Sequence, residues 1–211
     1  MRLIRFSVVF LLLSLVSTVV AAAGSDSETE ITVFFTGDVN GSYEPCGCKA
    51  GPTGGMARRV GYSRDFADRY SGKILNVDAG NYFEGPGPNA EAINAVLKRA
   101  LVELPVQVSN LGSQDLYWWK ELAAEDLGET QFISTNLVPI RSELPVPPKY
   151  RVLEIPVTSG GSQHVVRIGI LGIADPARVK PNSGFKGLDP LKAVRDIKEE
   201  VMGQADFLFL L

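Results

Sequence analysis

The stretch that decides the fold is ITVFFTG, residues 31–37, which runs directly into the polar loop Asp38-Val39-Asn40-Gly41. β-Branched and aromatic residues predict a strand, and the Gly, Asp and Asn that follow predict a turn. This pattern of a strand and a polar loop recurs at residues 73–78, 106–109 and 131–135. The polar residues at the ends of the four predicted strands are Asp38, Asp78, Asn110 and Asn136.

Helical patterns separate these predicted strands. Residues 89–103 show the clearest helical spacing, and Asn89 is predicted to cap the helix. The predicted apolar face is Ile93, Val96, Leu97, Ala100 and Leu101. Further helices are predicted over residues 55–70 and 113–127. Because strand ends meet at one edge of the sheet in α/β folds, we expect the four polar loops to lie together.

The second half of the chain predicts a hairpin, a helix and a last strand. Residues 150–157 and 164–174 flank the turn Ser159-Gly160-Gly161-Ser162, and Asp189-Pro190 is typical of a helix start. The final residues, DFLFLL at 206–211, read as a buried strand. The fold class is therefore α/β with a mixed sheet, and we expect the natural sequence to continue beyond Leu211.

The amino terminus predicts export. A short basic start is followed by the apolar residues 6–20 and by Ala21-Ala22-Ala23, which together are typical of a signal peptide spanning residues 1–23. Cleavage after Ala23 removes two of the 21 basic residues and none of the 24 acidic ones, so the domain at residues 24–211 carries a net charge of −5. We expect a periplasmic or secreted protein with no stable membrane anchor after cleavage. No basic cluster indicates nucleic-acid binding.

The chain has only two cysteines, and they lie one residue apart in Pro45-Cys46-Gly47-Cys48. Three interpretations are open: a redox-active pair, an inert Cys46–Cys48 disulfide, or two metal ligands. A ring this small restricts the unfolded chain very little, so it does not serve overall stability. A metal site needs further ligands that the loop lacks. We favour the redox pair, in which Lys49, Arg58 or Arg59 would stabilise a thiolate.

Several motifs resemble one family. Thr36-Gly37-Asp38-Val39-Asn40-Gly41 resembles the T-N-D-x-H-G motif of the calcineurin-like metallophosphoesterases, in particular their exported 5′-nucleotidase (UshA-type) branch. The other similar stretches, in chain order, are residues 54–58, 78–85, 110–115, 136–137 and 166–173. The resemblance implies a metallophosphoesterase-like α/β sandwich with mixed sheets flanked by helices, of which this sequence is an incomplete, C-terminally truncated part.

The resemblance also implies where a two-metal centre would lie. Carried over by position, Asp38 keeps the family's Asp, whereas a His ligand becomes Asn40 and the bridging Asp becomes Asn81. The family's Asn and catalytic His become Ser113 and Gln114, and Asp115 follows them. Two close divalent ions need a bridging anion, which a neutral amide does not supply. The lone histidine, His164, lies in none of these loops and is expected on a surface strand.

The cysteine motif carries a narrower resemblance. Pro-Cys-Gly-Cys between these motifs is similar to a subgroup of exported 5′-nucleotidase-like proteins whose first cysteine position is occupied by selenocysteine in some members. That similarity implies redox reactivity at Cys46. We therefore assign Cys46 as the attacking thiol and Cys48 as the resolving thiol.

Three functions follow. The preferred one is a thiol redox role that requires no cofactor and uses an unidentified redox partner. The alternatives are a phosphoesterase that acts on a small phosphate ester with a divalent metal in an altered ligand set, and a non-catalytic binding module.

The remaining polar loop residues have two interpretations. Asp38, Asp78, Asn81 and Asp115 are oxygen ligands suited to one hard cation, but such residues more often act as caps and turn formers. Asp115 is expected in the first turn of the helix at 113–127. On that helix Leu116, Trp119 and Ala123 share a face, so Trp119 is predicted in the core and Trp118 on the surface.

Overall fold

The structure, a computed structural model, describes residues 30–69, 73–159 and 161–211. The predicted signal peptide lies outside these residues. Glu30–Ile155 with Val166–Leu211 form one compact unit, and Pro156–Val165 at the tip of a hairpin belong to another. No helix within the described ranges is long and apolar enough to cross a membrane.

A four-stranded parallel sheet organises the first half of the larger unit. Its order follows the sequence, with all neighbours parallel: β1 (Ile31–Thr36), β2 (Lys73–Asp78), β3 (Val108–Asn110) and β4 (Gln131–Ile133). Helix α1 (Met56–Arg69) connects β1 to β2, and α2 (Ala90–Glu103) connects β2 to β3. A 3₁₀ turn (Asp115–Tyr117) and the short helix α3 (Trp119–Leu122) precede β4.

The second half adds two small sheets. The antiparallel pair consists of β5 (Leu137–Pro139) and β8 (Phe185–Gly187). The three-stranded sheet has the order β6-β7-β9, and its strands are β6 (Tyr150–Ser159), β7 (Ser162–Leu171) and β9 (Phe207–Leu210). Two 3₁₀ turns (Pro176–Arg178 and Pro181–Ser183) and the helix α4 (Pro190–Met202) complete the fold. The predicted α/β class with mixed sheets is confirmed.

The largest hydrophobic core joins α2, α3 and the parallel sheet. Its aromatic centre is Phe132 on β4, whose ring centroid lies 6.2 Å from that of Phe83 and 6.5 Å from that of Trp119. Trp119 is buried as predicted, and its indole N–H donates to the Pro145 carbonyl at 2.7 Å. Trp118 is also partly buried, because its indole N–H donates to the Glu84 carbonyl at 2.7 Å.

The prediction of one continuous helix over residues 113–127 is wrong, because this segment forms a 3₁₀ turn and a separate short helix. The backbone of Trp118, with φ −107° and ψ 0°, interrupts the helical path between the 3₁₀ turn and α3. The carboxylate of Asp115 at the start of the 3₁₀ turn accepts hydrogen bonds from neighbouring loops. Ala123 is exposed rather than on a buried face.

The apolar face of α2 also differs from prediction. On α2, Val96 is 44% exposed, whereas Asn94 is buried because its amide bonds to the main-chain N–H and carbonyl of Glu84. The Asn89 side chain makes no capping hydrogen bond. Asp189 does cap α4, accepting from the Lys192 N–H at 2.6 Å, but Leu191 on that helix is exposed.

The last strand is present but is not buried. β9 pairs in parallel with β7 and occupies the edge of the three-stranded sheet. Its end residues Phe207 and Leu210 are 58% and 54% exposed. The apolar composition of DFLFLL therefore predicted the strand correctly and its burial wrongly.

Asp115 fastens the loops that follow β2 and β3. Its carboxylate is fully buried and accepts three main-chain hydrogen bonds, from Asn81 at 2.8 Å, Phe83 at 3.0 Å and Gly112 at 2.8 Å. Burial raises the pKa of Asp115 to about 7, and these N–H donors oppose that rise. One side chain thus sets the spacing between two strand-end loops.

We predict that Asp115→Asn changes how stability depends on pH. Between about pH 4 and 7 the folded native chain binds more protons at residue 115 than the unfolded chain. Its free energy of unfolding should therefore fall as pH rises through this window, by up to a few kcal/mol relative to the variant. Urea unfolding of both proteins at several pH values measures the difference.

The same variant should be less stable than the native protein at the acid end of that range. The introduced NH₂ group would face a main-chain N–H, which costs about 1–3 kcal/mol for a buried unsatisfied donor. Parallel pH profiles for the two proteins would contradict the assignment of this titration to Asp115.

Candidate functional site

A polar cleft of about 180 Å³ lies at the carboxyl end of the parallel sheet. The residues that line it come from loops after β1, β2, β3 and β7: Asp38, Ala79, Asn81, Asn110, Gly112, Ser113, Ile173, Ala174, Asp175 and Arg178. Three of the four predicted strand-end loops therefore do meet at one edge. The fourth loop, at Asn136, does not line the cleft but holds one of its lining residues. The Asn136 amide donates to the Ala174 carbonyl and accepts from the Ala174 N–H.

Three residues at this edge have a left-handed backbone. Asp38, Asn40 and Asn81 have φ values of 51°, 45° and 54°, a conformation that Asp and Asn tolerate better than most residues. The loops after β1 and β2 are joined through their main chains. The Asp38 N–H donates to the Gly80 carbonyl at 2.9 Å, and the Asn40 N–H donates to the Asn81 main-chain carbonyl at 2.7 Å. The unusual backbone thus holds the first and second loops side by side.

Asn81 is the centre of the polar contacts in the cleft. Its Nδ2 donates to a carboxylate oxygen of Asp38 at 2.8 Å, and its Oδ1 accepts from the Gln114 N–H at 3.0 Å and from the Ser113 hydroxyl at 3.4 Å. Gly112 packs so closely against Asn81 that a Cβ at position 112 would overlap it. One amide therefore uses both its donor and its acceptor within the protein.

The side chains of the other predicted metal-site residues do not line the cleft. The Asn40 side chain bonds to the main-chain carbonyl of Asp38 at 3.1 Å and does not line the cleft. The Gln114 side chain packs against Gly85. Asp115 lies buried beneath the loops. The structure therefore brings Asp38, Asn81 and Ser113 together at the cleft and directs Asn40 and Gln114 elsewhere.

Asp78 does not line the cleft but holds the ends of β1 and β2 together. It is buried at the end of β2, where its carboxylate accepts hydrogen bonds from the Thr36 hydroxyl and from the Gly80 N–H. Burial raises the pKa of Asp78. His164 is exposed on β7, in agreement with the predicted surface strand.

The side chains at the cleft do not fit the two-metal centre that the fold resemblance implies. Asp38 and Asp175 are the only carboxylates in the lining, and the Asn81 oxygen is already engaged by Gln114 and Ser113. Within the part of the chain that the structure describes, no group of three or more His, Cys, Asp and Glu side chains is arranged to hold a metal ion. At position 81, where the resemblance places the bridging carboxylate that two close cations require, the side chain is a neutral amide.

The cysteines form a separate cluster on the long loop between β1 and α1. Both are free thiols with Sγ atoms 2.9 Å apart, Cys46 partly buried and Cys48 exposed. Thr53 returns to the first cysteine, with its hydroxyl 3.1 Å and its main-chain nitrogen 3.3 Å from Cys46 Sγ. Neither cysteine is among the residues that line the cleft.

The loop is closed at its base by a glycine. Gly55 has φ 88°, and a Cβ there would lie 2.8 Å from the Pro45 nitrogen. The Met56 N–H donates to the Tyr43 carbonyl at 2.9 Å, and the Cys46 N–H donates to the Thr53 carbonyl at 2.8 Å. These contacts hold the two ends of the cysteine loop against each other.

The two thiols differ in acidity. The pKa of Cys46 is lowered to about 6, chiefly by its hydrogen bond with Cys48 and then by its hydrogen bonds with Thr53. The pKa of Cys48 is raised, because its proton is shared with Cys46. The pair therefore divides into one thiol that ionises easily and one that keeps its proton.

The prediction that Lys49, Arg58 or Arg59 stabilises the thiolate is wrong. The lowered pKa of Cys46 has hydrogen bonds, and not nearby cations, as its causes. The Arg58 guanidinium bonds to the Pro52 carbonyl instead of approaching the sulfur. Thr53 was missed, since a threonine seven residues along a glycine-rich loop gives no local pattern that places it on a thiol. Arg178 and Asp175, which line the cleft from the turn after β7, were also missed.

The fold matches solved structures of a 5′-nucleotidase, a calcineurin-like phosphoesterase and a sulfate thiohydrolase. A 5′-nucleotidase precursor from Thermus thermophilus superposes with a TM-score of 0.67 and 22% identity, over 85% of this chain and 36% of that chain. The calcineurin-like phosphoesterase YfkN from Bacillus subtilis has a TM-score of 0.64 and 15% identity, over 85% of this chain and 60% of its own. The sulfate thiohydrolase SoxB from Thermus thermophilus has a TM-score of 0.66 and 16% identity, over 89% of this chain and 44% of its own.

The sequence itself gives no such match. No protein-family model matches the chain, and no curated protein matches it. The chain spans from about a third to 60% of the lengths of the three structures described above. The similarity therefore concerns the fold, and this chain has the α/β fold shared by 5′-nucleotidases and calcineurin-like phosphoesterases.

Proposed function

We propose that this chain is an exported 5′-nucleotidase-like protein with a degenerate two-metal site that acts as a thiol redox protein through Cys46 and Cys48. The observation that carries the proposal is the cysteine pair itself. Its two sulfurs are 2.9 Å apart, and the pKa of Cys46 is lowered to about 6 while that of Cys48 is raised. A thiolate next to a protonated thiol is the arrangement that thiol–disulfide exchange uses.

The proposed reaction is the reduction of a disulfide in a partner molecule. The Cys46 thiolate attacks one partner sulfur, so a mixed disulfide forms and the other partner sulfur leaves as a thiolate. Cys48 then loses its proton to solvent and attacks Cys46 Sγ, which forms the Cys46–Cys48 disulfide and releases the second partner sulfur as a thiolate. Two electrons pass from the protein to the partner, and an external dithiol restores the reduced pair by the reverse exchange.

The accessibility of the two thiols suits these roles. Cys48 is exposed, and Cys46 remains partly accessible while its sulfur is held by neighbours. The pair needs no cofactor for this exchange. Export to an oxidising compartment, which the predicted signal peptide and the 5′-nucleotidase precursor among the similar structures favour, would supply disulfides as partners.

The degenerate metal site is supported by the contacts of Asn81. Where the resemblance places a bridging carboxylate, this amide donates to Asp38 and accepts from Gln114. An amide that fills both roles within the protein has little capacity left for a cation. We therefore place the chemistry at the thiols rather than in the cleft.

We predict that the protein undergoes one reversible two-thiol oxidation. Incubation across defined ratios of reduced and oxidised dithiothreitol, followed by thiol labelling and mass spectrometry, should show two labels lost together. In Cys48→Ser, incubated instead with oxidised glutathione, Cys46 should accumulate as a mixed disulfide with glutathione, because no second thiol is present to resolve it. A native protein that shows no reversible two-thiol transition would exclude the redox role.

A metal-dependent hydrolase remains the second candidate, favoured by the persistence of a polar cleft with Asp38, Asp175 and Arg178 in a phosphoesterase fold. We predict that metal analysis finds less than stoichiometric Mn²⁺ or Zn²⁺ after incubation and desalting. We also predict no metal-dependent turnover of nucleotides or of p-nitrophenyl phosphate. Asp38→Asn is the control, because it removes the main carboxylate that a metal would use.

The outcomes separate the candidates. Stoichiometric metal and turnover that both disappear in Asp38→Asn would establish the hydrolase and displace our proposal. Thiol cycling without metal-dependent turnover would support it. Neither thiol cycling nor turnover would indicate a non-catalytic binding module.

A further inference from the structure

Three polar groups contact the sulfur of Cys46, and two of them belong to Thr53. The Thr53 main-chain N–H donates to it at 3.3 Å, the Thr53 hydroxyl lies 3.1 Å away and can donate or accept, and the Cys48 sulfur lies 2.9 Å away with a proton between the two sulfurs. These three contacts approach a single atom. A thiolate accepts hydrogen bonds more strongly than a thiol, so donors gathered in this way favour the ionised form.

We propose that Thr53 is a positioning residue that holds Cys46 in the thiolate form and in the orientation needed for exchange. The inference rests on the proposed redox function for its consequence, but the contact of Thr53 with the sulfur stands independently. The hydroxyl is suited to both protonation states, because it accepts from a neutral thiol and donates to a thiolate. The main-chain N–H donates only, and therefore favours the charge.

The backbone fixes Thr53 in this place. The Cys46 N–H donates to the Thr53 carbonyl at 2.8 Å, so residues 46 and 53 are bonded in both directions across the loop. The contact of Gly55 with Pro45 closes the loop one step further along. These contacts hold Thr53 next to Cys46 before the sulfur ionises. Such preorganisation lowers the entropy cost of stabilising a charge on the sulfur.

The charged residues of the same loop do not account for this arrangement. Glu44 acts on Tyr43, whose pKa it raises, and the Arg58 guanidinium is bonded to the Pro52 carbonyl. Neither of them, nor Lys49, has a hydrogen bond to Cys46 Sγ among the contacts that the structure describes. The lowered pKa of Cys46 has hydrogen bonds as its causes, with Cys48 first and Thr53 next.

Two properties should change together when Thr53 loses its hydroxyl. Thr53→Val keeps the branched shape and the main-chain N–H but removes one donor, so the pKa of Cys46 should rise. Because the reduced form would then be less stabilised, the Cys46–Cys48 disulfide should also become harder to reduce. A hydroxyl that only filled space would leave both quantities unchanged.

The experiment measures iodoacetamide labelling of the full-length protein as a function of pH. At pH 6.5, Thr53→Val should label Cys46 roughly tenfold more slowly than the native protein, as expected for the loss of one hydrogen bond to a charged group. Thr53→Ser should restore the native rate, since serine keeps the hydroxyl. Each variant should also be measured with Cys48→Ala, which isolates the contribution of Thr53 from that of the second thiol.

Arg58→Ala is the matched control. It disturbs the same loop by removing the bond to Pro52 but removes no contact with the sulfur, so it should leave the pH profile of labelling unchanged. An equal slowing in Arg58→Ala and Thr53→Val would show that general loop disorder is responsible and would overturn the inference. Failure of Thr53→Ser to restore the rate would overturn it as well.

The redox titration distinguishes this inference from the proposed function. If Thr53→Val shifts the pH profile but the native protein shows no two-thiol transition, Thr53 positions a thiolate that is not redox-active, and the proposed function fails alone. If the transition is present and Thr53→Val shifts neither the profile nor the midpoint potential, the positioning role fails alone.

Discussion

The arrangement at the edge of the parallel sheet depends on one buried carboxylate. Asp115 accepts main-chain hydrogen bonds from the loop after β2, at Asn81 and Phe83, and from the loop after β3, at Gly112. A charged group in a fully buried position is costly unless such donors surround it. The same bonds that stabilise this side chain therefore set the distance between the two loops, and the cleft has its shape because that distance is fixed.

Asn81 connects residues of the loops after β1 and β3 through its side-chain amide. Its amide joins Asp38 on the first loop to Gln114 and Ser113 on the third, and its own main-chain N–H is held by Asp115. A carboxylate at position 81 would accept from Gln114 and Ser113 but would repel Asp38, unless a cation lay between them. The amide removes that repulsion, because its Nδ2 donates to the Asp38 carboxylate, so the loops can close on one another through hydrogen bonds.

Much of the fold could be predicted from the sequence because its parallel strands are short apolar runs that end in Asp or Asn or are followed by one within three residues. β1, β2 and α2 are found within two residues of their predicted limits. The interruption of the helix predicted over 113–127 could not be foreseen, because the burial of Asp115 against distant loops overrides a local helical preference. The exposure of Phe207 and Leu210 was missed for a related reason, since composition indicates an apolar strand but not which of its side chains other elements cover.

The candidate site likewise has features that the sequence could predict and features that it could not. Motif spacing correctly brought Asp38, Asn81 and Ser113 to one cleft, because it follows strand ends that the topology places side by side. It could not indicate that Asn40 turns back onto its own loop, or that Thr53 reaches Cys46, since both depend on side-chain contacts within irregular backbone.

The separation of the two clusters bears directly on what the protein does. The cysteine loop leaves the end of β1, as does Asp38, yet it has its own closure through Gly55 and Thr53 and shares no lining residue with the cleft. Changes in the acidity of Cys46 therefore do not require changes at Asn81. On the proposed function, a phosphoesterase fold could lose metal ligands and keep a reactive thiol pair, because hydrogen bonds within the loop are enough to ionise one sulfur.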